Sequence, residues 1–477
     1  MPGTTIIHGY DLMAWICHII NAFDQDTKEQ LYRQFTSRGY GPEHYFLEIE
    51  KSFPFFNRTG GEIEKRYDKL LPEQINKVKG QVLAWKTSPN DHIRILAMLS
   101  YLDRYFNTDA SLHQFMLSAN HITDSVVSFN SLNEHNAAEL NGLLLPNFVP
   151  MWDRSTRSQS SLAENPFSVI HNYIWICRSG VWNVTNLCSE EWVFPKGKNI
   201  KIICSPLTNT STFSYELREQ DPNNIFEITE YHTDRMKIAQ GIIMQVLQFA
   251  NQENADIVLF PEMLASPQCV EEMKELIEGQ TELVSPKCII LPSSEYCDTA
   301  GKWVNEAQGL NAWGEVLLKY NKQQRFQHHV GNNTYFEPIK PDHNLYVLHM
   351  KGIGRVGIII CADIFNEELV KTLLNSYQID LLLILTYTPG TRRFFDSISS
   401  AQRTSCEVIW CNTCAAYDKG AVGLPCVSYW AYGHEDRACY CEQSCDNISL
   451  DLCNGCACKI EIAADHKTHG EITRTFF

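Results

Sequence analysis

Basic residues are in the minority in this sequence, and no segment gathers them into a patch. Lys and Arg number 40 against 56 Asp and Glu, which gives a formal net charge of -16. A strong attraction to phosphate backbones or to anionic lipid is therefore not expected. The sequence also lacks an uninterrupted apolar run long enough for a membrane-spanning helix. We thus expect neither a nucleic-acid partner nor a membrane span.

A basic leader is missing from the N-terminal stretch, which carries Asp11 inside its short apolar segment. This is not the pattern of a signal peptide, so the expected location is the cytoplasm. In that reducing compartment we expect the 18 cysteines to serve packing, catalysis or metal binding rather than disulfides.

The character of the chain changes along its 477 residues. Helical periodicity dominates the first part and is clearest over 73–85 and 91–106, where apolar residues recur at three- and four-residue steps. A Ser-rich segment, DRSTRSQSSLAENP, has linker composition. From Asn199 onward, short β-branched runs alternate with helical patterns, as in a β-α-β chain. We predict a helical accessory domain at 1–150, a linker or connector at 151–198 and an α/β domain at 199–477.

Three reactive side chains stand at the ends of predicted apolar strands of that second domain. Glu262 follows DIVLFP, Lys322 follows VLLKYN, and Cys361 follows VGIII. In open α/β sheets ligands bind at this edge. A desolvated carboxylate there can act as a general base, an ammonium can stabilise an oxyanion, and a thiol beside a helix start is favoured as thiolate.

Each of these residues also has a plainer explanation when it is taken alone. Glu262 could cap a helix, Lys322 could be a solvated surface lysine, and Cys361 could be a small core residue. Their order and local context together favour chemistry.

The combination resembles the nitrilase, or carbon-nitrogen hydrolase, superfamily. That superfamily is marked by a Glu after an apolar strand, a Lys in a Tyr-x-Lys turn and a Cys in a Val-Gly-x-x-x-Cys-x-Asp context. The matching segments are Phe260-Pro261-Glu262, Tyr320-Asn321-Lys322 and Val356-Gly357 through Cys361-Ala362-Asp363. The similarity runs from about Asn199 to the C-terminus.

The resemblance implies a four-layer α-β-β-α sandwich beside the smaller N-terminal helical domain. It implies that Glu262 takes the thiol proton, Cys361 forms a thioester and Lys322 steadies the tetrahedral intermediate, with no cofactor for catalysis. The family often adds a second carboxylate between Lys and Cys, for which Glu337 is the candidate; the alternative is an exposed loop residue before Pro338. Family members commonly pair, so the resemblance implies a homo-oligomer.

Two further features leave alternatives open. The loop after Lys322 carries His328 and His329, which either line the pocket or are solvated, and Tyr387 lies where family members build the substrate wall. A late stretch at about 439–458 is dense in cysteine, which is not a usual feature of the family: Cys439, Cys441, Cys445, Cys453, Cys456 and Cys458. This stretch is either a structural zinc knuckle or an insertion whose thiols are packed or exposed.

We therefore expect a hydrolase of a small amide, N-carbamoyl compound or nitrile. An acyltransferase using the same thioester is the alternative enzyme. A non-catalytic scaffold or sensor in a multi-component system, such as a defence system, is the alternative from another class, with the N-terminal domain binding another protein.

Overall fold

The protein is represented by a computed structural model with a mixed α/β fold. It describes residues 9–36, 42–56, 70–106, 120–121, 126–129, 142–147, 167, 170, 172–177, 181–194, 198–219, 224–280, 283, 285–402, 406–417, 426–432, 435–440, 455–463 and 470–477. The chain divides into two compact units. Unit 1 comprises 1–120, 128–148 and 157–180, and unit 2 comprises 121–127, 149–156 and 181–477.

Helices dominate the described part of unit 1. They are α1 (Gly9–Asn21), α2 (Gln25–Thr36), α3 (Pro42–Ser52), α4 (Pro72–Lys86) and α5 (His92–Tyr105). Short 3-10 turns cover Pro54–Phe56 and Pro89–Asp91. The last two α-helices coincide with the two segments of clearest helical periodicity. Proline occupies the first turn of α4, where the lack of its N–H costs no hydrogen bond.

Helix α5 lies at the centre of the apolar core of unit 1. Its side chains Ile95, Leu96, Met98, Leu99 and Leu102 are all fully buried, so the helix is apolar on most of its surface. An antiparallel pair of strands, β3 (Gly142–Pro146) and β4 (Tyr173–Cys177), contributes Leu144 and Trp175 to the same core. Sequence patterning did not identify these strands.

Two short strands, β1 (Asn120–His121) and β2 (Val126–Phe129), precede β3 in the chain. Unit 2 then contains two large sheets. The first has the order β5-β16-β17-β18-β19-β20-β21. Its strands are β5 (Asn183–Val193), β16 (Asn344–Lys351), β17 (Gly354–Ile360), β18 (Leu381–Leu385), β19 (Glu407–Cys411), β20 (Cys426–Tyr432) and β21 (Glu435–Tyr440).

The second large sheet has the order β11-β12-β10-β9-β6-β22-β23, with β13 also paired to β12. Its strands are β6 (Ile200–Cys204), β9 (Ile257–Leu259), β10 (Cys288–Ile290), β11 (Ser294–Cys297), β12 (Trp303–Leu310), β13 (Val316–Asn321), β22 (Cys456–Ile462) and β23 (Glu471–Phe476). Both large sheets have parallel strands at their centre, β17 to β19 in one and β6, β9 and β10 in the other. Every residue of β9 and β18 is buried, as a central parallel strand requires.

A smaller sheet of order β14-β15-β8-β7 completes the strands of unit 2. Its strands are β7 (Phe213–Arg218), β8 (Asn224–Tyr231), β14 (Gln327–Val330) and β15 (Asn333–Phe336). The prediction of a loop after Lys322 is thus wrong, because β14 and β15 form a hairpin that turns at Gly331, whose φ is +59°. The side chains of this hairpin are mostly polar, so the sequence lacks the alternation of apolar and polar residues that predicts a strand.

The described helices of unit 2 are α6 (Thr233–Gln252), α7 (Pro267–Glu278), α8 (Glu367–Lys371) and α9 (Arg392–Gln402). A 3-10 turn covers Cys361–Phe365, a π-helical turn covers Thr372–Ser376, and a second 3-10 turn covers Cys414–Ala416. In the described part of the chain, no helix is long and apolar enough to cross a membrane. The predicted domain limits of 1–150, 151–198 and 199–477 stay predictions.

Candidate active site

Glu262 lies just beyond strand β9 and is almost completely buried, at 1% exposure. Its Oε1 accepts hydrogen bonds from Asn305 Nδ2 at 3.0 Å and from Lys322 Nζ at 2.6 Å. Its Oε2 accepts from the backbone N–H of Tyr387 at 3.1 Å. Three donors from three different elements therefore fix the carboxylate, and it is not a helix cap.

Lys322 immediately follows strand β13, and its backbone N–H donates to the carbonyl of Asn305 at 2.8 Å. Its ammonium lies 2.6 Å from Glu262 Oε1 and 2.7 Å from Glu337 Oε2. At 1% exposure, this lysine is not a surface residue. A buried ammonium paired with two carboxylates can act as a fixed positive group toward a reacting oxygen.

Glu337 follows strand β15 and is fully buried, so it is not an exposed loop residue. Its Oε1 accepts from Asn305 Nδ2 at 3.0 Å, and its Oε2 accepts from the backbone N–H of Phe326 at 2.9 Å. Asn305 thus joins the two carboxylates that flank the lysine. The structure brings together the residues that the sequence separates by tens of positions.

Cys361 follows strand β17 and opens the 3-10 turn at 2% exposure. Its backbone φ is +48°, in the left-handed region that a residue with a Cβ rarely adopts. Such conformations concentrate at functional sites, where the surrounding structure enforces them. The thiol lies close enough to Glu262 for the charge of that carboxylate to raise the pKa of the thiol, after the larger effect of burial.

The charges of the site set its resting protonation state. Burial raises the pKa of the Cys361 thiol well above its usual value, and the negative charge of Glu262 raises it further, against the opposing effect of Lys322. The expectation that a helix start favours the thiolate is therefore wrong in direction. The 3-10 turn is short, and burial together with two carboxylates from elsewhere in the chain outweighs its effect on the thiol.

Burial also raises the pKa of Glu262, and the positive charge of Lys322 partly offsets this increase. Burial alone would lower the pKa of Lys322, but Glu262 and Glu337 raise it well above its usual value. Burial alone would raise the pKa of Glu337. The charge of Lys322 and the hydrogen bonds that the Glu337 carboxylate accepts outweigh burial, so the pKa of Glu337 is lowered. The site therefore rests as a thiol beside a carboxylate of raised basicity and a charged ammonium.

Asp363 ties the lysine loop to the cysteine turn. Its carboxylate accepts from the Tyr320 hydroxyl at 2.6 Å and from the Ile360 backbone N–H at 3.0 Å. It also accepts from the backbone N–H groups of Gln323 at 2.8 Å and Gln324 at 2.6 Å. Asp363 thus accepts hydrogen bonds from residues on both sides of Lys322 and from the residue before Cys361. These hydrogen bonds fix the position of Lys322 relative to Cys361.

Aromatic side chains lie next to these groups. The ring of Tyr387 packs 5.3 Å from that of Phe213, and its hydroxyl donates to the Ala415 carbonyl at 2.9 Å. His328 lies on strand β14 with its ring 5.8 Å from Phe226 and 6.2 Å from Phe326. A substrate-binding role for Tyr387 stays a prediction.

The cysteine-rich stretch is described at its two ends. Cys439 lies on β21, and Cys456 and Cys458 lie on β22, which pairs with β6 inside the second sheet. Cys441, Cys445 and Cys453 lie outside the described residues. Among the residues that the structure does describe, no group of three or more His, Cys, Asp or Glu is arranged to hold a metal ion. The structural zinc site stays a prediction.

Sequence reasoning missed Asn305 and gave Asp363 no role. Asn305 sits inside the strand WVNEAQGL, where polar residues are frequent and nothing in the pattern shows which of them faces the site. The position of Asp363, two residues after Cys361, could have indicated its role. A carboxylate buried at that position needs hydrogen-bond donors, and the neighbouring elements supply them.

The protein was also compared with known proteins. No family model matches the chain, and no curated protein matches it. Similar solved structures include a glutamine-dependent NAD+ synthetase from Acinetobacter baumannii, at 14% identity and a TM-score of 0.39 over 57% of this chain and 46% of the synthetase. An amidase from Nesterenkonia sp. matches at 15% identity and a TM-score of 0.38, over 57% of this chain and 93% of the amidase.

A mutant of the Nesterenkonia AN1 amidase, from the nitrilase superfamily, matches at 16% identity and a TM-score of 0.36. That match covers 52% of this chain and 89% of the amidase. The matched region spans less than half of the synthetase.

Proposed function

We propose that this protein is a thiol-dependent hydrolase of non-peptide C–N bonds in amides, N-carbamoyl compounds or nitriles, with a thioester on Cys361. The observation that carries the proposal is the buried cluster in which the Lys322 ammonium lies 2.6 Å from Glu262 and 2.7 Å from Glu337. The Cys361 thiol lies beside this cluster, where burial and then the charge of Glu262 raise its pKa. We also infer the four-layer sandwich for the large sheets of unit 2.

In the first half of the reaction, the Cys361 sulfur attacks the substrate carbon while its proton passes to Glu262. The oxygen of an amide substrate gains negative charge in the tetrahedral intermediate, and the Lys322 ammonium stabilises that charge. Glu262 then gives its proton to the leaving nitrogen, the C–N bond breaks, and the acyl group remains on sulfur. The raised pKa of Glu262 suits this proton transfer, because it makes the carboxylate a stronger base toward the thiol proton than an ordinary glutamate.

In the second half, a water molecule attacks the thioester carbon and gives a proton to Glu262. The C–S bond breaks, the acid leaves, and Glu262 returns the proton to the Cys361 sulfur. Glu337 holds the ammonium in place throughout, because its carboxylate contacts Lys322 and takes no proton in either half. The chain's own residues supply the nucleophile, the base and the electrostatic stabilisation.

The test is turnover of a panel of small amides, ureido acids and nitriles. Ammonia and acid products are measured for the wild type and for Cys361→Ala. We expect release from one class of compound by the wild type and loss of that release in the variant. Release that persists in Cys361→Ala would refute the proposal, and so would an inert wild type whose panel covers all three classes.

A further inference from the structure

The smaller sheet, β14-β15-β8-β7, has an aromatic face next to the candidate active site. The ring of Phe213, on β7, packs 5.3 Å from the ring of Tyr387, whose backbone N–H donates to Glu262. Phe326 directly precedes β14, and the centre of its ring lies 5.9 Å from the Lys322 ammonium. That distance is within reach of a cation–π contact. Rings on this sheet or next to it thus adjoin both the carboxylate and the cation of the site.

The rings continue outward from Lys322 as a row. The ring of Phe326 lies 6.2 Å from that of His328, which lies 6.1 Å from that of Tyr215 on β7. Phe226, on β8, packs against all three rings, at 6.4 Å from Phe326, 5.8 Å from His328 and 4.7 Å from Tyr215. Aromatic rings attract each other at such separations. We call these four residues the aromatic row.

The aromatic row is covered at its middle and open at its outer end. Phe226 is 7% exposed and belongs to the apolar core of unit 2. Tyr215 lies opposite Ile228 and projects to the same face of the sheet, yet Tyr215 is 48% exposed and Ile228 only 6%. Phe326 and His328 are half-buried. The residues that the structure describes therefore leave aromatic surface uncovered from Phe326 outward to Tyr215.

The opposite face of the smaller sheet is charged. Arg218, on β7, pairs with Glu216 at 3.2 Å and with Glu227 on β8 at 2.9 Å. These residues alternate along their strands with Tyr215 and Phe226, so they project away from the aromatic row. A sheet with one polar and one apolar face has its apolar face toward the protein. The half-exposed Tyr215 is therefore on the side of the active site and not on the solvent side.

Aromatic surface of this kind binds two classes of group, cations and other planar rings. The Phe326 ring already faces the Lys322 ammonium, so a second cation at this ring would lie beside a like charge. A saturated apolar group would bury a similar area but would lack the attraction between rings. A planar aromatic group is therefore the ligand that the aromatic row fits best.

We propose that the aromatic row is the specificity site of this protein and binds an aromatic ring on the carbon side of the scissile C–N bond, as in an arylalkyl amide or nitrile. The reacting carbon lies near Cys361 and Lys322, and the rest of the substrate extends along Phe326 and His328 toward Tyr215. The proposal rests on the proposed function for the identity of the reacting group. Binding of the ring itself requires no turnover.

The experiment measures equilibrium binding to the full-length Cys361→Ala protein by titration calorimetry, because this variant cannot form the thioester. The main probes are phenylacetamide and cyclohexylacetamide, which share chain length and ring size and differ in aromaticity. A third probe, γ-aminobutyramide, carries an ammonium group instead of a ring. The same titrations are repeated after His328→Leu and Tyr215→Leu, each of which removes one ring of the row and keeps an apolar side chain.

His329→Leu is the matched control. His329 is the next residue along β14 from His328, so it projects to the opposite face of the sheet. It is exposed, and its ring Nδ1 lies 3.0 Å from the hydroxyl of Thr334. The control therefore makes the same chemical change on the same strand, outside the aromatic row.

We expect phenylacetamide to bind about two- to tenfold more tightly than cyclohexylacetamide, which is the range that an aromatic pair contributes beyond its buried area. His328→Leu and Tyr215→Leu should each reduce this preference, and His329→Leu should keep it. The comparison of the two ring probes uses no change in the row, so it remains decisive even where a row variant does not fold.

Several results would overturn the proposal. Equal affinity for the two ring probes, or no binding of either, would show that the row does not take an aromatic ring. Tighter binding of γ-aminobutyramide than of phenylacetamide would show that it takes a cation. A preference that persists in both row variants, or that His329→Leu also removes, would place the effect outside the row. Because binding is measured without turnover, an inert wild type in the hydrolysis panel counts against the proposed function alone.

Discussion

Strand β17 has a buried charged cluster at each end, and the two clusters are built differently. At its beginning, the guanidinium of Arg355 donates to the carbonyl of Gln378 at 3.1 and 3.0 Å and lies 3.6 Å from Asp380. At its end, Cys361 lies beside the cluster around Lys322, and the charge of Glu262 in that cluster adds to burial in raising the pKa of the thiol. One end pairs a cation with one carboxylate and a carbonyl, whereas the other places two carboxylates and a thiol around one cation.

This difference separates a structural cluster from a chemical one. The Arg355 cluster has matched charges and fixes the start of β18 against the start of β17, since the Arg355 backbone N–H also donates to Asp380 at 2.8 Å. The Lys322 cluster has an acidic excess and a thiol proton next to a carboxylate of raised pKa. Only the second arrangement has a thiol proton beside a carboxylate, which is what the proposed reaction requires.

The largest expected effect is loss of the nucleophile. Cys361→Ser should lower turnover about a thousandfold or more, because an alcohol is a far weaker nucleophile than a thiol in this setting. Steady-state kinetics measures the loss, and thermal unfolding should show little change because the two side chains are similar in size. Retention of wild-type turnover would remove the distinction between the two ends of β17.

Removal of the cation should affect the two ends in different ways. Arg355→Met and Lys322→Met each remove the cation that faces a buried carboxylate. The loss of that cation lowers the free energy of unfolding by about 3–5 kcal/mol. Lys322→Met should also slow alkylation of Cys361, because Lys322 lowers the pKa of the thiol. Arg355→Met should leave the alkylation rate per folded molecule unchanged. Equal alkylation rates in the two variants would contradict the assignment of different roles.

Asp363→Asn should weaken the tie between the lysine loop and the cysteine turn. The amide keeps one acceptor oxygen and turns the other into an NH2 donor, so it cannot accept all four hydrogen bonds, and we expect a loss of about 1.5–3 kcal/mol in stability, with slower Cys361 alkylation. Asp342→Asn is the control, because Asp342 receives hydrogen bonds from Asn321 and Gln323 of the same loop. If Asp342→Asn slows the alkylation as much, the tie through Asp363 has no specific role.

An effect on stability alone, with none on the reactivity of Cys361, concerns Glu407, a buried carboxyl group that accepts from Trp430 Nε1 at 2.8 Å. Burial raises its pKa to about 8. Since this is above the value of about 4.3 for an unfolded chain, the folded state binds the proton more tightly. The stabilisation is complete below about pH 4 and is lost as pH rises toward 8, by about 1.4 kcal/mol per unit.

Glu407→Gln should remove that pH dependence, because the amide does not ionise. Thermal unfolding of the wild type and the variant from pH 5 to pH 8 measures the difference between them. A difference that stays constant over this range would show that Glu407 does not hold a proton in the folded state.

The sequence predicted the elements that carry the site better than the partners within it. Glu262, Lys322 and Cys361 stand just after β9, β13 and β17, because apolar runs of that length mark buried strands. Their convergence depends on the pairing of distant strands, which periodicity does not encode. The prediction that these three residues converge came from the resemblance to a known family.

Other features depended on long-range contacts that local patterns do not contain. Tyr215 and His328 become neighbours only through the pairing of the strands of the smaller sheet. The expected thiolate at Cys361 failed for the same reason, because burial by the folded chain, and then the charges of Glu262 and Glu337, raise the pKa of the thiol. The hairpin of β14 and β15 was missed because its strands are polar and short.

The central claim is that substrate carbon becomes bonded to one particular sulfur among the 18 cysteines. Its most direct test is peptide mapping by mass spectrometry of protein quenched during turnover of an amide. The account predicts an acyl mass on the peptide containing Cys361 in the wild type, and no acyl mass in Cys361→Ala. An adduct on another cysteine, or the same adduct in Cys361→Ala, would contradict it.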